Sequence, residues 1–413
     1  MKKIIRIISI ALLPFMVNAQ ALDDYLQIAA ENNPEVKASY ARFEAAMQKA
    51  PQVSSLPDPT LTMSAFGKMI ETRLGRQEAK FSLMQMFPWF GTLKAREDAA
   101  TSMAEAGFQQ YLDTREELFV KVKTVYAEMY ELQATIRIQE ENMEVLNTFR
   151  ELALSRFRNG KAAMVDVVRV DMKRNDAGTE ITLLKDKRAS VAYRFNALLN
   201  VAYDSEVVFP ETLPALPEGE GMEQGNIEGD SLFAAHPKMQ QLDKQTASYA
   251  AQRRAAVKQG LPMIGIGVDY SIISKQTEMN PENNGQDVIM PMLSVSLPVF
   301  RKQHKARVKE ADFLAEAARQ ESVAVRNRLR ADYEMARYDI RKAQQRIALY
   351  DKQLESTGQA MKLLLSSYGN TDSTMDEILR LQQEKLLYQA AKITAEKDGF
   401  SAYARKAYLL SED

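Results

Sequence analysis

Side-chain chemistry has little to work with in this sequence. There is no cysteine, and the only histidines are His236 and His304. That removes thiolate zinc sites, disulfide frameworks and cysteine nucleophiles. The histidines share no helix face: His236 precedes a proline, and His304 sits among Arg301, Lys302 and Lys305. Both read as surface residues. No phosphate-cradling glycine loop, no Gly-x-Ser-x-Gly and no His-Glu-x-x-His occurs. The sequence therefore predicts no catalytic residue, no metal centre and no cofactor, and a chain that is not an enzyme. A softer chemistry remains. Met84, Met86, Met290 and Met292 fall in alternating stretches, on the side that carries small and polar residues. Thioether sulfur suits soft ions such as Cu(I), although methionine is first an adaptable packing residue.

The elements that must position these residues follow from composition. Lys and Arg total 54 against 55 Asp and Glu, so the chain lacks the basic excess that nucleic-acid binding requires. A mean hydropathy of −0.34 excludes a helical membrane protein. Glycine and proline are scarce, which favours long helices. At the N-terminus, Lys2, Lys3 and Arg6 precede an apolar stretch from Ile7 to Val17, followed by Asn18 and Ala19. This is the three-part pattern of a secretory signal, with cleavage expected after Ala19. Beyond residue 19 no run approaches the ~18–20 apolar residues of a spanning helix. The mature chain is then either soluble outside the cytoplasm or a β-type outer-membrane protein.

The remainder is one plan written twice. Asn33-Pro34 opens a helix to about Ala50, Leu56-Pro57-Asp58-Pro59 opens an alternating stretch, and a second such stretch ends at Phe87-Pro88-Trp89-Phe90-Gly91. A very long helical pattern runs to Phe157, breaks at Arg158-Asn159-Gly160, and resumes to about Asn200. In the second half His236-Pro237 opens a helix to about Gln259, and alternating stretches begin at Pro262 and end at Leu297-Pro298-Val299-Phe300. A long helix then breaks at Tyr368-Gly369-Asn370-Thr371, and a last one reaches about Leu409. Pro34 and Pro237 lie 203 residues apart, and Pro88 and Pro298 lie 210 apart. The repeats are 20–203 and 231–413. Between them, 204–230 is rich in Pro, Gly and Glu and reads as a linker, with Val207-Val208-Phe209 a possible short strand.

At ~1.5 Å per residue the first long helix would span roughly 100 Å. Two heptad series run along it, one from Leu118 through Val125 and Leu132 to Ala153, the other from Val122 through Met129 and Ile136 to Phe157. Ala336 to Leu364 and Tyr333 to Tyr368 repeat the arrangement. These are the a/d seams of coiled coils. Each long helix is followed by a short break and a returning helix, which makes two antiparallel hairpins. Gly160, and Gly369 with Asn370, suit the left-handed conformation that ends a helix.

The alternating stretches carry the decision. Ile264, Ile266, Val268, Tyr270 and Ile272 alternate with Gly265, Gly267, Asp269 and Ser271, and Leu293, Val295, Leu297 and Val299 alternate with Met292, Ser294, Ser296 and Pro298. Leu61 and Met63 against Thr60, Thr62 and Ser64 is a weaker version, and Gln85 interrupts the apolar side of the stretch from Lys80 to Phe87. A greasy side and a wet side over ~9–11 residues fit tilted membrane strands. Four strands cannot enclose water alone, and an open edge in lipid strands backbone groups at several kcal/mol each. Several chains must then share one barrel, and three would give twelve strands.

The doubled order and its motifs resemble the TolC-type outer-membrane efflux proteins, over residues 20–410, with a lean toward the heavy-metal branch. The motifs that carry the resemblance are Gln85-Met86-Phe87-Pro88-Trp89-Phe90-Gly91 with Lys94-Ala95-Arg96, Leu297-Pro298-Val299-Phe300, and Leu56-Pro57-Asp58-Pro59. The resemblance implies a mainly α fold with a transmembrane β part. A homotrimer would form a twelve-stranded barrel in outer-membrane lipid, continued by a helical tube in the periplasm. It implies a passive duct for drugs or heavy-metal cations, docked to a periplasmic adaptor and an inner-membrane pump. The docking turns would be Arg158, Asn159, Gly160 and Lys161, and Tyr368, Gly369, Asn370 and Thr371. Acids forming a periplasmic entrance gate would be Asp376, with Asp372 and Glu377. The strand-to-helix motif would be Pro88, Trp89, Phe90, Gly91, Pro298 and Phe300. A periplasmic coiled-coil adaptor or scaffold is the rival, but adaptors carry one hairpin, and this chain has two with a duplicated strand pair.

Overall fold

The computed structural model describes residues 15–214, 232–278, 282–370 and 374–411. The elements are α1 (Phe15–Asn32), α2 (Pro34–Met47), α3 (Lys49–Ser54), β1 (Thr60–Thr72), β2 (Gly75–Phe87), α4 (Thr92–Arg158), α5 (Met164–Leu199), α6 (Pro237–Gln259), β3 (Met263–Ser274), β4 (Val288–Ser296), α7 (Arg301–Asn370) and α8 (Met375–Leu410). They divide into two compact units, each drawn from both halves of the sequence. One comprises Ser39–Tyr111 and Lys238–Val325, the other Met1–Ala38, Leu112–Pro237 and Arg326–Asp413. Residues 1–14 of the expected signal, 215–230 of the expected linker and 231 at the start of the second repeat lie outside the described residues. Val207 to Phe209 form no strand. Instead Val207 and Phe209 are buried, and the Arg188 guanidinium stacks 4.6 Å from the Phe209 ring.

In the first unit the four strands form one antiparallel sheet in the order β1-β2-β3-β4. The alternating stretches predicted it, with one boundary corrected. β4 ends at Ser296, so the alternation through Leu297 and Val299 is not strand. Pro298, which cannot donate to a ladder, sits in that turn between strand and helix. In sequence α2 and α3 precede β1 and β2, and α6 precedes β3 and β4. Ser248 Oγ on α6 donates to the carbonyl of Ala99 on α4 at 2.7 Å, and Arg253 Nε pairs with Asp312 at 2.8 Å.

In the other unit the heptad seams are buried along most of their length, with Phe157 at the end of one series exposed. Leu118, Val122, Val125, Met129, Leu132 and Ile136 are all within the core. A second buried stripe, Tyr126, Tyr130, Ala134, Ile138 and Asn142, lies on the same helix. The heptad count did not reveal it, because α4 packs on two sides. Gln382 Nε2 donates to Asn142 Oδ1 at 2.9 Å, both groups buried. A single satisfied polar pair of this kind fixes register between helices at some cost in stability. His236 is buried at 1% exposure with its ring edge-on to Tyr408, which corrects the surface reading of that residue.

Candidate functional sites on the sheet and at the hairpin turns

The register sorts the sheet into two faces. Leu61, Leu83, Val268 and Pro291 stand in one row, and Gln85, Ile266 and Leu293 in the next. This face is exposed: Leu61 is 60%, Ile266 58% and Leu293 75% accessible. A contiguous apolar patch across four strands is far beyond the scattered apolar residues normal at a water surface. Gln85 breaks the pattern in sequence only. Its Nε2 donates to the carbonyls of Pro57 (2.8 Å) and Met86 (2.9 Å), so its polar end returns to backbone. The opposite face carries Thr60, Thr62, Ser82, Ser271 and the Lys80–Asp269 ion pair, with Asp269 buried. The outer edges of β1 and β4 have no partner strand among the described residues.

The turn from β2 into α4 is closed by local hydrogen bonds. Gly91 adopts φ +72°, which favours glycine, and Thr92 N–H donates to the Trp89 carbonyl at 3.0 Å. Lys258 Nζ donates to the Phe90 carbonyl at 3.1 Å. The rings of Trp89 and Phe90 lie edge to face, and Phe90 and Phe300 are almost fully exposed. Exposed aromatics directly beyond strands that carry an apolar face are what membrane interfaces select.

The first hairpin turn matches its expectation closely. Gly160 sits at φ +65°; Lys161 N–H donates to the Arg156 carbonyl and Gly160 N–H to that of Phe157, both at 2.9 Å. That is the Schellman closure. Arg158, Asn159, Gly160 and Lys161 are exposed. The second turn differs from the expectation. α7 continues through Asn370, so Tyr368-Gly369-Asn370 is helix and not a break. Thr371 and Asp372 lie outside the described residues. Tyr368 is 2% exposed, packed with Leu146, Phe149, Val167, Met375 and Ile378, and the Arg156 guanidinium lies 4.1 Å from its ring centre. Burial raises the Tyr368 phenol above its ordinary range. The isolated chain thus uses Tyr368 as core, and Arg156, which sequence reasoning missed, as its cover.

The acids past the second turn separate into two roles. Thr374 and Glu377 form a reciprocal capping box, so the Glu377 carboxylate is tied to the Thr374 backbone at 3.3 Å. Asp376 is 67% exposed and lies 3.5 Å from Arg169 Nη1 of α5. Leu379, one turn on, is buried in the hairpin core. Among the described residues no group of three or more His, Asp or Glu side chains could hold a metal ion, and no helix is long and apolar enough to cross a membrane.

Residues 25–201 and 230–398 match the family described as outer membrane efflux protein. No curated protein matches the chain by sequence. Among solved structures, the outer membrane protein VceC of Vibrio cholerae is similar at 18% identity and TM-score 0.75, over 95% of this chain and 96% of that one. CusC, described in terms of transmembrane channel formation, is similar at 13% identity and TM-score 0.76, over 95% and 92%. The open state of the MtrE outer membrane channel of Neisseria gonorrhoeae is similar at 15% identity and TM-score 0.71, over 94% and 88%. At these identities the likeness is one of fold. The family match spans both repeats, and the two-faced sheet and paired hairpins agree with it: the chain belongs to the outer membrane efflux protein family, and is an outer-membrane channel protein that extends into the periplasm.

Proposed function

We propose that three copies of this chain close one twelve-stranded barrel and act as a passive exit duct. One observation carries this reading: a sheet with an exposed apolar face and two edges that have no partner strand among the described residues. In lipid such edges are untenable, and pairing β4 of one copy with β1 of the next removes them. Protein extracted in detergent should therefore run as a heat-modifiable trimer and give steady conductance in planar bilayers. A monomer without conductance would end the proposal.

The duct works within a tripartite efflux system, its exposed Arg158–Lys161 turn and its second tip, Tyr368, Gly369, Asn370 and Thr371, meeting a periplasmic adaptor that joins it to an inner-membrane pump. The absence of native cysteine makes this testable. Lys161→Cys should cross-link to the periplasmic adaptor, and Lys185→Cys, exposed on α5 away from the turn, should not. Asp376 guards the periplasmic entrance as a cation-selective acid, with Asp372 near it in sequence, and the Arg169 pairing holds it in place. Asp376→Ala should lower cation selectivity in single-channel recordings; unchanged selectivity removes it from the gate. The cargo is a drug or a heavy-metal cation, and a deletion strain challenged with copper, silver, zinc and detergents separates the two. Residues 1–19 direct export, and the mature N-terminus should be Gln20 by sequencing.

A further inference from the structure

The polar face of the sheet holds a composition that a wet wall does not need. Met263 is in register with Ser296, Met86 with Gly265 and Ser294, Met84 with Gly267 and Met292, and Asp269 with Met290. Across these four rows every residue that is not methionine is Gly, Ser, Thr or Asp. The five methionines are thus the whole apolar content of this part of the face. They have no leucine, isoleucine or valine beside them there, so packing into a core does not account for them. The sequence pattern had shown four of them and missed Met263.

Glycine brings two of the sulfurs together. A β-carbon placed on Gly265 would lie 2.5 Å from Met86 Sδ and 3.0 Å from Met84 Sδ. Their sum bounds the sulfur–sulfur separation at 5.5 Å. Two thioethers sharing one ion, at metal–sulfur bonds of roughly 2.3 Å, sit at most about 4.6 Å apart. The flexible methionine side chain closes that difference by small rotations. Gly267 likewise leaves room for Met84, whose Sδ would lie 3.1 Å from a β-carbon there, and in the same row Met292 supplies a third thioether on this face. The one carboxylate in these four rows, Asp269, is already paired with Lys80. The donors are therefore neutral and soft, with no spare charge for a hard divalent ion.

We propose that Met84 and Met86, joined by Met292, form a binding site for a soft monovalent cation of the Cu(I) or Ag(I) class. The accessibility of this face to solvent rests on the channel reading above; the binding itself does not require transport. The test uses the purified full-length protein in detergent, titrated with silver(I) nitrate alone in chloride-free buffer and followed by calorimetry. Wild type should bind one silver ion per chain at this site, and Met84→Leu/Met86→Leu should bind it roughly tenfold or more weakly, with unchanged circular dichroism. In methyl-labelled protein, the Met84 and Met86 methyl resonances should shift together on adding silver, and zinc should move neither. This second readout stands even if the double variant folds poorly. Equal silver binding by variant and wild type, or methyl resonances that silver leaves in place, would overturn the site. Those results would leave conductance untouched, just as a failure of conductance would leave the silver titration to be judged by itself.

Discussion

The sheet and the hairpins are both amphipathic, yet they complete their apolar faces in opposite ways. Along α4 the residues of period 3.5 are covered by the same chain: Val122, Met129 and Leu146 are buried. Along β3 and β4 the residues of period two are covered by nothing in the chain, and Ile266, Leu293 and Val295 stay exposed. The inner seams of the hairpins are completed within the chain, although Met172, Leu183, Leu363 and Leu387 stay exposed on their other sides; the sheet needs lipid on one side and neighbours at its edges. The difference shows that burial within the chain distinguishes structural apolar residues from those addressed to the surroundings, which composition alone cannot do.

The comparison is sharpest where substitutions should separate the two regions. Tyr368→Ala removes a buried aromatic from the hairpin core and should destabilise it by about 3–5 kcal/mol, read as earlier thermal unfolding with increased hydrogen exchange at the end of α7. Next, Leu293→Arg on the apolar face should cost about 2–4 kcal/mol if it faces mid-membrane and reduce the folded protein recovered from the outer membrane, while neighbouring Ser294→Arg on the polar face should be recovered normally. Equal recovery of both would break the distinction between the faces. Gly160→Ala forces a side chain into a left-handed turn and should cost about 1–2 kcal/mol, measurable as a loss of denaturation midpoint without change in the sheet.

The smallest effect is electrostatic. Partial burial pulls the Asp171 carboxyl upward, but hydrogen bonds from Arg150 and Arg174 outweigh it and hold it below the ordinary aspartate range. A depressed carboxyl contributes stability above its unfolded pKa and loses it as pH falls through the folded value. The hairpin should therefore weaken below about pH 4. Asp171→Asn should flatten that acid dependence by about 1 kcal/mol or less, because the pair is partly exposed.

Much of this was legible in the residues. The heptad seams, the alternating stretches and Gly160 each announce their element through a local rule: a repeat of 3.5, a repeat of two, a positive φ. The second turn was misread because Gly369 and Asn370 look like a break. The helix instead persists to Asn370, and the packing of Tyr368 among Met375 and Ile378 accompanies it. His236 looked isolated because its partner Tyr408 is distant in sequence.

Sequence alone determined the doubled order of elements, the heptad seams and strand alternation, and the poverty of catalytic groups, since each depends on neighbours along the chain. Only the tertiary structure decided that Arg156 covers Tyr368, that Glu377 caps a helix while Asp376 faces solvent beside Arg169, and that Gly265 lets two methionine sulfurs meet. Those facts depend on register between segments far apart in the chain, and register is set by packing that no local pattern records.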